Sequence, residues 1–272
     1  MAHHSTASQS SAKTEVKILM LHGFTQSGAL FRAKTRALEK LLIKVLAPFS
    51  LHPILIYPTG PNRLLLQDIP GYSPPPSSTA NDQTAEDGSD EPHQPDSWAW
   101  WRKDDGSGEY LHIEKGMSTI ASAIRQAGGV DGVCGFSQGA AATGIVAAAL
   151  EPEREIPQGE NAAASQWVRE LREANAEHPL KFAVSYSGFW ATPASLRFLF
   201  EPKIVTPMMH YLGSLDTVVE EDRSQGFADR CQNVTTVIHP GGHYVPVSKE
   251  WVMPLAGFIK QNTLSPDPRA GL

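Results

Sequence analysis

The chain has 272 residues, 41% of them hydrophobic and 19% charged, with a net charge of −6 and two cysteines, Cys134 and Cys231. That length suffices for one large domain with a sizeable core, and the acidic balance excludes a basic nucleic-acid surface. Two cysteines are too few for a disulfide framework and show no metal-ligand spacing, so Cys134 is expected as a small buried apolar residue.

Met1 to Thr14 is polar, with His3 and His4 but no apolar signal segment, and no later apolar run reaches membrane-spanning length. A flexible tail over 1–14 and a cytoplasmic protein without a membrane span are the expectations. Val16–Leu21 is a continuous apolar run suited to the centre of a parallel sheet, with His22-Gly23-Phe24-Thr25-Gln26-Ser27 as its exit loop. Ala29–Leu46 repeats Leu30, Phe31, Leu38, Leu41, Leu42 and Val45 at helical spacing, which predicts a covering helix ended by Pro48. Ile54–Tyr57 reads as the next strand, and Pro58-Thr59-Gly60-Pro61 as its loop.

From Gln67 to Ser97 the composition turns to proline, serine, threonine and acidic residues, the mark of a mobile surface insertion. It stops at Trp98-Ala99-Trp100-Trp101, where three large rings need a surface to cover. Two readings stand: core packing at the edge of the sheet, or a wall of the substrate pocket with the insertion as its lid.

Leu111–Ala127 has helical spacing through Ile113, Met117, Ile120 and Ile124, ended by Gly128-Gly129. Val130–Cys134 then reads as a short buried strand and the alanine-rich Ala140–Leu150 as a buried helix. Between them, Gly135-Phe136-Ser137-Gln138-Gly139 has the GxSxG spacing of a nucleophile elbow. A serine on so sharp a turn takes φ above zero, and the flanking glycines remove side chains that would collide. The Gln138 amide would stand at the positive end of the helix, able to donate to an oxyanion. The alternative for the pentapeptide alone is a glycine-rich turn that contains serine.

Glu151–Gly159 is a charged loop, and Ser165–Glu177 an amphipathic helix that its position makes a candidate cap element. Lys181–Ser187 is a strand followed by Gly188-Phe189-Trp190. Thr206–Leu212 is another, with Gly213-Ser214-Leu215-Asp216 directly after it, so Asp216 falls at a carboxyl end, where open α/β sheets build their sites. Glu220–Arg230 reads as a charged helix, Asn233–His239 as the last strand, Gly241-Gly242-His243-Tyr244 as its exit loop and Ser248–Gln261 as the closing helix. The expected fold class is therefore α/β: a mostly parallel central sheet flanked by helices over 15–262, with a surface insertion at about 67–97 and a tail over 263–272.

A serine hydroxyl needs a neutral imidazole to take its proton and a carboxylate to hold that imidazole. Ser137, Asp216 and His243 come in the α/β-hydrolase order, each at a strand end. His22 is expected to make a structural hydrogen bond in its loop, and His210 and His239 to be core residues. Asp222 and Asp229 fall on a charged helix face. The second oxyanion donor is expected from the Phe24 amide, and Trp98, Trp100, Trp101, Phe189 and Trp190 are the candidate pocket walls.

LHGFTQSG, WAWW, GFSQGAA, YSGF, GSLDTVV and HPGGHYVP, in order from Val16 to Lys260, together resemble the fungal-type FSH family of serine hydrolases within the α/β-hydrolase superfamily. The resemblance implies an α/β-hydrolase fold, a Ser137, Asp216, His243 triad, no metal or organic cofactor, and hydrolysis of a carboxylic ester or thioester. Some similar fungal proteins act beside polyketide synthases, so a polyketide or fatty acyl thioester on an acyl carrier protein joins the candidate substrates. The insertion and the segment Glu151–Pro179 depart from the compact family pattern. The competing readings are an acyl-protein thioesterase or peptidase and, in another class, a catalytically idle ligand-binding module. The apolar wall argues against a polar peptide and the intact triad against an idle site.

Overall fold

The computed structural model describes residues 13–69, 71–72, 96–157 and 162–264. The chain opens with β1 (Thr14–Leu21), α1 (Gly28–Leu46) and β2 (Leu51–Ile56). Four two-residue strands follow: β3 (Asn62–Arg63), β4 (Trp98–Ala99), β5 (Arg102–Lys103) and β6 (Tyr110–Leu111). Next come α2 (Ile113–Gln126), β7 (Gly132–Phe136), α3 (Gln138–Ala149), α4 (Ala162–Ala174) and β8 (Phe182–Tyr186). The chain continues through β9 (Met208–Gly213), α5 (Glu221–Ala228), β10 (Val234–His239) and α6 (Lys249–Leu264). The longer strands make one parallel sheet in the order β10-β9-β8-β7-β1-β2, while β3 pairs with β4 and β5 with β6 antiparallel.

The continuous apolar runs follow from burial on both faces of a parallel sheet. From β1, Ile18 and Met20 join Cys134, Phe136, Val184 and Tyr186 under α1 and α6, whereas Leu19 and Leu21 join Val133 and Ala183 under α2, α3 and α4. Every residue of α3 is buried, so this helix is apolar all round. The suggestion that the Ser165–Glu177 helix belongs to a cap is corrected: Trp167, Val168 and Leu171 of α4 are buried in the core, because its apolar stripe packs along α2 and α3. Arg172 of α4 donates to the carbonyls of Ala149, Glu151 and Arg154, each at 2.8 Å, which fixes the chain leaving α3.

β2 begins at Leu51, earlier than its apolar core suggested, and it is an edge strand, where Pro53 with no amide hydrogen is tolerated. β1 starts at Thr14 and α6 runs to Leu264, so the regular elements reach into both expected tails. The rest of those tails, 1–12 and 265–272, and residues 73–95 of the expected insertion lie outside the described residues. Among the described residues, no helix is long and apolar enough to cross a membrane.

Strand order positions the site. The chain passes from β1 outward to β2, then returns across β1 to β7 and continues outward through β8, β9 and β10. Loops leaving β1 and β7 therefore diverge at the reversal, and ligands of open α/β sheets bind in the crevice made there. His22-Gly23-Phe24 leaves β1, Ser137 leaves β7, Asp216 lies just past β9 and His243 just past β10.

Candidate active site

β7 ends at Phe136 and α3 begins at Gln138, so Ser137 alone makes the turn, at φ 53° and ψ −117°. A Cβ on Gly135 would come within 2.1 Å of the Gly139 carbonyl oxygen, and one on Gly139 within 2.1 Å of the Leu21 carbonyl oxygen. Strand, helix and β1 thus press together around the serine, and only glycine fits at both positions. The Ser137 amide donates to Tyr186 O at 2.9 Å, and its carbonyl accepts from the amides of Ala140 and Ala141 at 2.9 and 3.1 Å, which holds the strained residue from both sides.

Asp216 accepts through Oδ1 from the amides of Val218 and Val219, each at 2.9 Å, and through Oδ2 from His243 Nδ1 at 2.8 Å. Its side chain is 2% exposed. Burial alone would raise its pKa, but hydrogen bonds, led by those from Val219 and His243, outweigh that and hold the carboxyl below its ordinary value. The ionised carboxylate assigns the hydrogen of His243 to Nδ1 and leaves Nε2 as an acceptor. The His243 ring lies over Phe136 with centroids 4.7 Å apart. Ser137 and His243 line the same cleft, and no hydrogen bond joins them among the described residues; such contacts tighten when substrate binds.

The β1 exit loop lies against the serine: a Cβ on Gly23 would be 3.3 Å from Ser137 Cβ. His22, fully buried, donates from Nδ1 to Gly23 O at 2.8 Å and accepts at Nε2 from the Gly60 amide at 2.9 Å, as its position beside the glycine suggested. Neither the Phe24 nor the Gln138 amide donates to a protein acceptor among the described residues.

The tryptophan segment ties these parts together. Thr25 N donates to Trp98 O at 3.0 Å, Trp98 N to Gln26 O at 3.1 Å, and Trp100 Nε1 to His22 O at 2.9 Å. The Gln138 side chain completes the clamp: its Oε1 accepts from Trp100 N and its Nε2 donates to Trp101 O, each at 2.9 Å. The two residues expected to supply oxyanion donors are therefore linked through one stretch of backbone. The elbow spacing points only to the Gln138 amide; the part its side chain plays is not visible there.

Two clefts meet at Phe24, Ile69 and Ser137. The first, about 610 Å³, is walled by Phe31, Phe136, Val218, Tyr244 and Val245 together with His243. Val218 and Tyr244 are 61% and 50% exposed, an apolar mouth in open water. The second, about 620 Å³, passes Trp101, Tyr110, Gln138 and Phe189. Of the expected pocket walls, Trp101 and Phe189 line this second cleft and the other three do not. Trp100 is buried behind the site against His22, with ring centroids 4.9 Å apart. Trp98 sits on the outer side near Arg63, and Trp190 packs against Phe200 and beneath the Arg230 guanidinium. Tyr244 and Val218 were missed, although each stands within two residues of a triad candidate in a strand-exit loop.

Buried histidines make stability depend on pH, with the largest shifts at His22 and His210. Burial lowers His22 to about 4, and burial likewise lowers His210, set edge-on to Phe227, to about 4. A proton on His22 Nε2 would face the Gly60 amide and break that bond. Because the unfolded chain takes up these protons near the ordinary value of 6.5, stability is full above that pH, falls between 6.5 and about 4, and stops falling below it. Each histidine accounts for roughly 3 kcal/mol across the window. Thermal melts of wild type and His210→Leu should show a shallower loss from pH 7 to pH 4 in the variant; parallel slopes would remove His210 from this balance.

Residues 11–255 match the family described as "Serine hydrolase (FSH1)". The Saccharomyces cerevisiae protein named family of serine hydrolases 2 is 28% identical over 253 residues, covering 90% of this chain and 98% of that one. A Schizosaccharomyces pombe protein named dihydrofolate reductase is 29% identical over 231 residues, covering 85% of this chain but 44% of that one, so this chain spans less than half of that relative's length. The crystal structure of Zea mays acyl-protein thioesterase 2 superposes with a TM-score of 0.52 at 17% identity, covering 93% of this chain and 95% of that one, and shares the fold. The chain belongs to the serine hydrolase (FSH1) family and is a hydrolase on an α/β-hydrolase sheet.

Proposed function

We propose that Ser137 is the nucleophile of an ester or thioester hydrolase, with His243 as its base and Asp216 as the group that orients the base. Ser137 Oγ attacks the carbonyl carbon as His243 Nε2 takes its proton, and the amides of Phe24 and Gln138 donate to the oxyanion. His243 returns that proton to the departing alcohol or thiol, and water attacks the acyl-serine by the same route, releasing the acid. The observation that carries this reading is the 2.8 Å bond from His243 to a buried carboxylate at the mouth of the cleft that Ser137 also lines. Phe31, Phe136, Val218, Tyr244 and Val245 in the first cleft take an apolar arm of the substrate.

A fluorophosphonate probe should label Ser137 covalently, located by peptide mass spectrometry; an unlabelled Ser137 in folded protein would support the idle-module reading instead. Turnover of one acyl chain presented as an ester, as a free thioester and as a thioester on an acyl carrier protein then ranks the substrate forms. Release of a polyketide or fatty acyl group from a carrier predicts that the third is preferred.

A further inference from the structure

The second cleft has charges that ester hydrolysis by Ser137 does not need. Its wall holds Arg102, Lys103 and Arg223, with the carboxylates of Asp68 and Asp105. Arg102 is paired with Asp68. Among the described residues, neither Lys103 nor Arg223 forms an ion pair, which leaves two cations against Asp105. The neighbouring Asp222 is directed elsewhere, accepting from the Arg223 backbone amide at 2.7 Å.

Arg223 is also held in place. Its guanidinium carbon lies 4.8 Å from the centroid of Phe189, a ring that itself lines the cleft. Stacking on an aromatic face fixes the planar fork while leaving its edge hydrogens to bind an oxyanion in two-point fashion. The first cleft differs, with Lys34 as its one permanently charged residue among the lining.

We propose that the second cleft binds an anionic group, a carboxylate or a phosphate, carried on the substrate arm opposite the apolar one, with Arg223 as its principal contact and Lys103 as the second cation. The substrate is then two-faced: hydrocarbon on one side of the scissile bond and anionic on the other. This rests on the hydrolase reading of Ser137.

The test uses three esters of one chain length: a neutral nitrophenyl ester, a nitrophenyl ester with a carboxylate on the leaving group, and a neutral-leaving ester with a carboxylate at the acyl terminus. kcat/KM is measured for wild type, Arg223→Gln and Arg223→Lys. Wild type should favour one of the two carboxylate esters over the neutral one by roughly fivefold, mainly through KM, as one charge-assisted contact at an exposed site allows. Arg223→Gln should abolish that ratio, Arg223→Lys should keep part of it, and added salt should weaken it. A preference for either carboxylate that Arg223→Gln abolishes supports the anion site, and the ester that carries it identifies the arm that enters the second cleft. Turnover of the neutral ester with no preference for either carboxylate, or a preference that survives Arg223→Gln, overturns the anion site while the hydrolase reading stands. No turnover of any ester, with Ser137 unlabelled by the fluorophosphonate, overturns the hydrolase reading and this site with it.

Discussion

Ser137→Ala is expected to lower kcat by about 10⁶ on any ester that wild type hydrolyses. Alanine keeps the backbone of the elbow and is smaller than serine, so Gly135 and Gly139 remain uncrowded and the fold should persist. The loss is chemical: with no Oγ, the imidazole beside it has no proton to take and no acyl-serine forms. Stopped-flow turnover of a nitrophenyl ester reads this directly, as a burst of acyl-enzyme in wild type and none in the variant. Wild-type turnover by a properly folded Ser137→Ala would remove this serine from the reaction.

Asp216→Asn should cost about 10⁴ in kcat with the fold intact. The surroundings fix which way the new amide points. Two backbone amides, Val218 and Val219, direct their hydrogens at Oδ1, so an asparagine must keep its oxygen there and turn its NH₂ toward His243 Nδ1. A donor facing Nδ1 forces the imidazole hydrogen onto Nε2, the nitrogen that must accept from Ser137. The imidazole stays near its place in the wrong tautomer. A loss of less than tenfold in kcat at pH 8, with unchanged circular dichroism, would show that the carboxylate does not set that tautomer.

Much of the site was legible because its parts are local. Leu21-His22-Gly23-Phe24 and Phe136-Ser137-Gln138 each join a strand that its own apolar run reveals to the loop that leaves it, and parallel pairing brings those loops to one edge without further instruction. Asp216 and His243 were legible for the same reason. The pocket walls were not, because three neighbouring tryptophans face three environments: Trp98 meets Arg63, Trp100 is buried under His22, and Trp101 stacks on Tyr110 with centroids 4.7 Å apart. No period in the sequence separates those fates, and the partners of Trp98 and Trp100 lie far away along the chain. Gln138 shows the same limit, since its side chain bonds the backbone at Trp100 and Trp101, 38 and 37 positions away. Arg223 sits on a helix that reads as a solvated charged face, and its position over Phe189 depends on how α5 docks.

The short ladder formed by β3 and β4 has a consequence for how this chain could diversify. Asn62 pairs with Ala99, Arg63 with Trp98, and Leu64 N donates to Ser97 O at 2.8 Å, so the two ends of the intervening stretch are stapled side by side. Once the ends of a loop are fixed, doubling its length costs only about 0.6 kcal/mol in closure entropy. Insertions and deletions between Tyr72 and Asp96 can therefore accumulate while Trp98 to Trp101 stay in register with the elbow and Asp68 and Ile69 stay in the cleft wall, making that stretch the place where one lineage can differ from another at little cost to the site.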